Sequence, residues 1–202
     1  MESTALDWLV TLLKKKDPAK LSGRCGARYM PGKGGGGRIE IAFFDRKFTV
    51  TTPRFEIFEE ASGETAPHMR ALFLYHLATA DGAAEKGRWV ALSELPGGSF
   101  YNAAYQGYSG NRIAGVFGND VEKLARAAVQ AGGTPEALGD LGFRFAALPR
   151  VPLCLVYWSG DEEFPPSAKV LFDGSASHYL PTDLCAFVGS ELTGMLVGEA
   201  EG

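Results

Sequence analysis

The residues best suited to chemistry fall into two groups. Tyr101, Tyr105, Tyr108 and Arg112 recur at i, i+4, i+7 and i+11, which on a helix sets three phenols and a guanidinium along one face. Phenols with an apolar flank and a polar tip suit a groove that stacks on a planar ligand or a partner, while ordinary half-buried packing calls for the same side chains. The second group is acidic: Asp161, Glu162 and Glu163 in one loop, then Asp173 and His178 in the stretch that runs to Pro181. If strand pairing joins those loops, carboxylates and an imidazole can hold a divalent ion or share a proton; otherwise they are solvated turns.

Other tempting motifs fail on context. Gly32–Gly37 satisfies G-x-G-x-x-G, but a strand follows it where a dinucleotide fold needs a helix N-terminus, and no Gly-Lys-Ser/Thr ending completes a P-loop. It reads as a flexible connection. Ser109 has Asn111 where a nucleophile elbow needs glycine, and Ser99 reads as a helix cap. The three histidines are far apart with no metal-ligand spacing, so no metal site is expected from motif alone, and His76 falls on an apolar helix face.

The elements that must position these residues alternate in blocks. A first helix over about 3–16 is capped by Ser3, buries Leu6, Leu9, Val10 and Leu13, and closes at Asp17-Pro18. Strand-like runs follow at Arg38–Phe44, Lys47–Thr52 and Arg54–Phe58, forming a meander. A helix from about Thr65 to Asp81-Gly82 turns Leu72, Phe73, His76 and Leu77 inward, and Arg88–Leu92 is a short strand. Ser99 opens a helix running to Phe117, with Phe100 and Ala104 facing the core; Asn119 caps another, with Glu122 completing a capping box. Phe143–Leu148, Val151–Trp158 and Ala168–Phe172 are strands, the middle one apolar enough to be central, and Thr182 caps a closing helix to about Val197. Blocks of strands and helices, not strict alternation, predict an α+β fold with a largely antiparallel sheet in a single domain over 1-202.

Composition narrows the function. With 202 residues, 46% hydrophobic content and a formal net charge of −4, the chain has material for a core and no general cationic character for nucleic acid. Charge is nonetheless divided: Lys14 to Arg54 holds eleven cations against three anions, and from Leu155 onward one cation stands against eight anions. Attraction between the two ends accounts for that division, as does a basic face for an acidic partner. Cys25, Cys154 and Cys185 are too dispersed for a disulfide framework, an internal cluster or a zinc site, which suits a reducing, cytoplasmic setting. The first helix ends in Lys14, Lys15 and Lys16, the reverse of a signal peptide's charge order, and no apolar stretch is long enough to span a membrane.

Leu74-Tyr75-His76-Leu77 through Asp81-Gly82, Gly87-Arg88-Trp89-Val90 and Leu95-Pro96-Gly97-Gly98-Ser99-Phe100-Tyr101 resemble a family of uncharacterised domains from mainly anaerobic bacteria and archaea. Pro149-Arg150-Val151-Pro152-Leu153, Gly160 to Ser167 and Leu171-Phe172-Asp173 to Pro181 are similar to its C-terminal signature. The resemblance implies an anaerobe's cytoplasm and, because some members are fused to an iron–sulfur cluster domain, a link to redox or metallocofactor proteins. This chain lacks the cysteine array of those added domains, and the resemblance supplies no catalytic residues. The expectation is a small-molecule or cofactor-binding accessory protein, with Tyr101, Tyr105, Tyr108, Arg112, Asp161, Glu162, Glu163, Asp173 and His178 lining one site. The alternatives are an enzyme pairing His178 with a neighbouring carboxylate, with or without a metal, and an interaction module docking by its basic N-terminal segment.

Overall fold

A computed structural model describes the backbone from Glu2 to Glu201 and the side chains of residues 6–200. By contact density the chain forms two compact units. The first comprises the chain up to Ala84 with Leu148–Arg150 and His178–Pro181; the second comprises Glu85–Ala147, Val151–Ser177 and the chain from Thr182 onward. Each carries its own antiparallel sheet, so the class is α+β.

In the first unit, helix α1 (Glu2–Leu13) buries Leu9, Val10 and Leu13, and the Ser3 cap concerns a side chain outside the described residues. The Asp17-Pro18 pair does more than stop α1. Asp17 accepts a hydrogen bond from the Ala19 N–H at 2.9 Å and Pro18 occupies the first turn, so the pair starts a second helix, α2 (Pro18–Cys25), that the hydrophobic pattern did not announce. Gly26 ends α2 in the left-handed region at φ 76°. A four-stranded meander follows: β1 (Arg28–Pro31), β2 (Gly37–Phe43), β3 (Arg46–Thr52) and β4 (Ile57–Glu59), paired in sequence order. The Gly32–Gly37 segment thus links two strands, as hairpin geometry requires and a phosphate loop does not. Ile39, Ile41 and Phe43 on β2, with Phe48 and Val50 on β3, alternate inward. There they meet α3 (Pro67–Thr79), whose Phe73 ring packs 4.6 Å from Phe48 and 6.4 Å from Phe43, centroid to centroid. Burying rings of this size stabilises by roughly 2–3 kcal/mol each.

In the second unit the sheet order is β5-β9-β8-β7-β6, formed by β5 (Trp89–Val90), β6 (Thr134–Pro135), β7 (Leu141–Leu148), β8 (Val151–Trp158) and β9 (Ser167–Asp173). Strand β8 is central, and every residue from Val151 to Tyr157 is buried, as its uniform apolarity predicts. The single helix expected from Ser99 to Phe117 is instead three pieces: a 3-10 turn (Gly98–Phe100), α4 (Asn102–Tyr108) and α5 (Gly110–Phe117). The break is at Ser109, whose ψ of −96° leaves the helical region and whose buried hydroxyl donates back to the Tyr105 carbonyl. Helix α6 (Val121–Gln130) is capped by Asp120, which accepts from the Lys123 N–H at 2.9 Å; the expected cap, Asn119, bonds the Gly160 backbone on both its amide atoms. The closing helix α7 (Thr182–Glu201) begins where expected, although the Thr182 hydroxyl donates to the Pro96 carbonyl. Among the described residues no helix is long and apolar enough to cross a membrane.

Candidate functional site

The break at Ser109 puts Arg112 on α5, apart from the three tyrosines of the expected stripe. Tyr105 turns fully inward, while Tyr101, Tyr108 and Arg112 remain exposed, and so do Phe100 and Ala104, the two residues expected to face the core. Space for the Tyr105 ring comes from Gly189 on α7, where a Cβ would collide with the phenol oxygen. The ring packs against Phe172 and meets Tyr108 edge-on at 5.7 Å, and its hydroxyl donates to the Val170 carbonyl at 3.2 Å. Burial pushes the phenol's pKa upward, so it stays a neutral donor.

That hydrogen bond is one of two that close the outer edge of β9. Strand β5 is two residues long and pairs only with Phe172 and Asp173. Further back along the edge, side chains of α4 replace the missing strand: Tyr105 takes the Val170 carbonyl, and the Gln106 amide takes the Ala168 carbonyl at 2.7 Å. The helix is thereby held beside the strand with a cleft of ≈ 240 Å³ left open, walled by Leu92, Ser93, Asn102, Tyr105, Gln106, Lys169 and Val170 among others. Lys169 is the only charged wall residue, and its ammonium lies 5.8 Å from the centre of the Trp158 ring.

Two of the acidic residues are committed to backbone hydrogen bonds of their own, and two are exposed. The Asp161 carboxylate closes its own turn, accepting from the Glu163 and Phe164 N–H groups at 2.8 Å, and those bonds hold its pKa below the ordinary range; Glu162 and Glu163 are exposed. Asp173 is buried and accepts four hydrogen bonds, from the N–H groups of Lys86, Gly87 and Ser175 and from the Ser175 hydroxyl. Burial alone raises this carboxyl, but the Ser175 hydroxyl and the three N–H groups outweigh it and the pKa falls.

His178 belongs to the first unit and has a different carboxylate from the four anticipated. Its Nδ1 lies 2.7 Å from Asp81 Oδ2, and the same loop is tied by the Tyr179 hydroxyl donating to the Ala83 carbonyl and by Arg150 donating to the Gly82 carbonyl. The His178 hydrogen bond and the Ala83 N–H lower the Asp81 pKa. This first unit has a cleft of its own, ≈ 260 Å³, lined by Lys16, Asp17, Lys20, Leu21 and Arg24. Among the described residues no three His, Cys, Asp or Glu side chains are placed to hold a metal ion.

Sequence reasoning therefore missed four polar side chains that shape these places: Asp81, Ser93, Asn102 and Gln106. In the sequence Asp81 marks only a helix stop, and its partner lies 97 residues away. Gln106 carried a usable signal, an amide next to a tyrosine on a short helix, which is a donor pair suited to capping a strand edge. The buried thiols are unreactive: burial pushes Cys25 up to about 11 and Cys154 and Cys185 to about 12.

No curated protein and no solved structure matches this chain. Residues 17–195 match the sequence profile of a family described as a domain of unknown function, which takes in both sheets and most of α7. The chain belongs to that family, Domain of unknown function (DUF3786).

Proposed function

We propose that this protein is a small-molecule-binding accessory protein of anaerobic metabolism whose ligand occupies the cleft along the outer edge of β9. One observation carries the reading: two side-chain hydrogen bonds hold α4 beside the stretch of β9 that β5 leaves uncovered, without filling the space between them. Concave sites with a few polar groups on a rigid scaffold are where small ligands bind. Ser93 and Asn102 line that space and spend no side-chain hydrogen bond elsewhere among the described residues. The anaerobic setting, and a link to redox or metallocofactor proteins, draw their support from the family resemblance alone.

The test is native mass spectrometry of protein isolated from its own host without oxygen. The wild-type chain should carry an added mass, and Ser93→Trp, which plugs the cleft from an exposed position, should carry none. An added mass equal in both would move the ligand elsewhere, and a bare chain in both would end the proposal. Tyr105→Ala is the wrong probe, because that ring is core.

A second reading, an enzyme, is favoured by the 2.7 Å contact between His178 and Asp81. A carboxylate on Nδ1 fixes the tautomer and leaves Nε2 to exchange a proton with a substrate. Nitrogen shifts of the neutral ring decide it: a proton on Nδ1 supports the reading, and a proton on Nε2 removes it.

A further inference from the structure

We infer that the β9-edge cleft takes a compact carboxylate, seated on the backbone N–H of Val170 with Ser93 and Asn102 donating beside it. This rests on the reading of the cleft as a binding site and adds the chemistry of the ligand.

The direction of the backbone groups follows from the pairing. The Gly174 N–H donates to the Arg88 carbonyl at 2.8 Å, which makes those opposed residues a hydrogen-bonded pair, and Val90 with Phe172 is the next such pair. Peptide groups alternate sides along a strand, so Val170 and Ala168 turn their N–H and C=O toward the same outer edge. The positions of the Tyr105 and Gln106 bonds agree, since both reach those two carbonyls. The two side chains therefore take the acceptors of this edge, and neither accepts from the Val170 N–H between them.

An edge in that state has an unusual selectivity. An added peptide strand needs alternating donors and acceptors from its neighbour, and here the acceptors are spent. What the edge still offers is a donor, and the free hydroxyl of Ser93 and amide of Asn102 offer more. The cleft has no carboxylate among its walls, and because the ammonium of its one cation, Lys169, lies by the Trp158 ring, the preference for an anion comes from the donors themselves. Its volume of ≈ 240 Å³ lies below the range of roughly 300–1,000 Å³ typical of drug-sized ligands, which sets the compactness. A planar carboxylate supplies several lone pairs in a small body and gains from charge-assisted bonds.

The test is a titration of the nitrogen-15-labelled full chain, followed by amide spectra, with propionate, with its neutral isostere propionamide, and with a capped Val-Thr-Val-Thr peptide, all at one ionic strength set with sodium chloride. Propionate should shift the Val170 amide downfield and saturably. Propionamide should bind about tenfold more weakly, and the peptide should leave that amide still. Ser93→Trp should abolish the propionate shift and Asn102→Leu weaken it several-fold, with the remaining amide peaks showing that both variants are folded. Equal binding of propionamide and propionate would overturn the carboxylate and leave the cleft as a site. Silence of Val170 toward both small probes would overturn the cleft as well, and a response to the peptide alone would assign the edge to strand addition.

Discussion

Asp161 and Asp173 look alike in the sequence, each an aspartate in a loop after a strand, and the protein uses them in opposite ways. Asp161 bonds N–H groups two and three residues ahead, in the open. Asp173 is buried and gathers N–H groups 86 and 87 residues earlier in the chain. The first fixes a turn that solvent would otherwise serve. The second satisfies backbone donors where water has no access, so its loss leaves them orphaned. Burial and span in sequence, more than charge, separate a carboxylate that holds the fold from one that decorates it.

Breaking the long-range member should have the largest effect. Asp173→Ala should cost about 4 kcal/mol in urea unfolding, because three N–H groups and a hydroxyl lose their acceptor, whereas Asp161→Ala should leave the urea midpoint where it is. A midpoint equal in the two variants would erase the distinction.

His76 extends the comparison to a buried base. Its Nδ1 lies 3.4 Å from the Tyr179 carbonyl, its Nε2 is buried without a hydrogen bond, and burial pushes its pKa down to about 4, against the pull of the Tyr179 and Cys25 carbonyls. Below about pH 6.5 the unfolded chain takes up a proton that the folded chain refuses, so stability falls as pH falls from about 6.5 to 4 and this contribution then levels off, a loss of about 3 kcal/mol. Asp173, with its folded pKa lowered, keeps its contribution through that window and loses it only below the ordinary carboxylate range. Stability curves of the wild type and His76→Leu, measured from pH 7 to 4, should diverge in slope there; parallel curves would show that His76 is not the buried acid sensor.

The smallest effect sharpens the rule. Tyr105→Phe keeps the ring in its place beside Gly189 and deletes one buried donor, so it should cost about 1 kcal/mol and leave the Val170 carbonyl open to the cleft. Thermal unfolding of the variant measures it, and a loss as large as that of Asp173→Ala would mean the hydroxyl organises far more than one strand edge.

What the sequence made legible was whatever has a period. Strands β2, β3, β7, β8 and β9 and helix α3 follow from alternation or from apolar spacing, and their bounds agree with the expectation to within about two residues at most ends. What it hid was residues with two uses and pairs made by distance. Asp17-Pro18 both ends one helix and begins another, so α2 was lost. The apolar pattern from Ser99 to Phe117 is interrupted between Phe100 and Asn102 and again at Ser109, so Phe100 lies on a 3-10 turn apart from the helix that buries Tyr105. Asp81 and His178 meet across 97 residues, a separation that no spacing rule covers.

The depth of the three cysteines has a practical consequence. All are 0% exposed with thiols held protonated, so an alkylating reagent meets no ready thiolate on the folded chain. A cysteine placed at the exposed mouth of the β9-edge cleft, as in Ser93→Cys, would then be the one fast-reacting sulfur, and a ligand seated in the cleft should slow its alkylation, so the alkylation rate reports occupancy with no bulky group attached in the site.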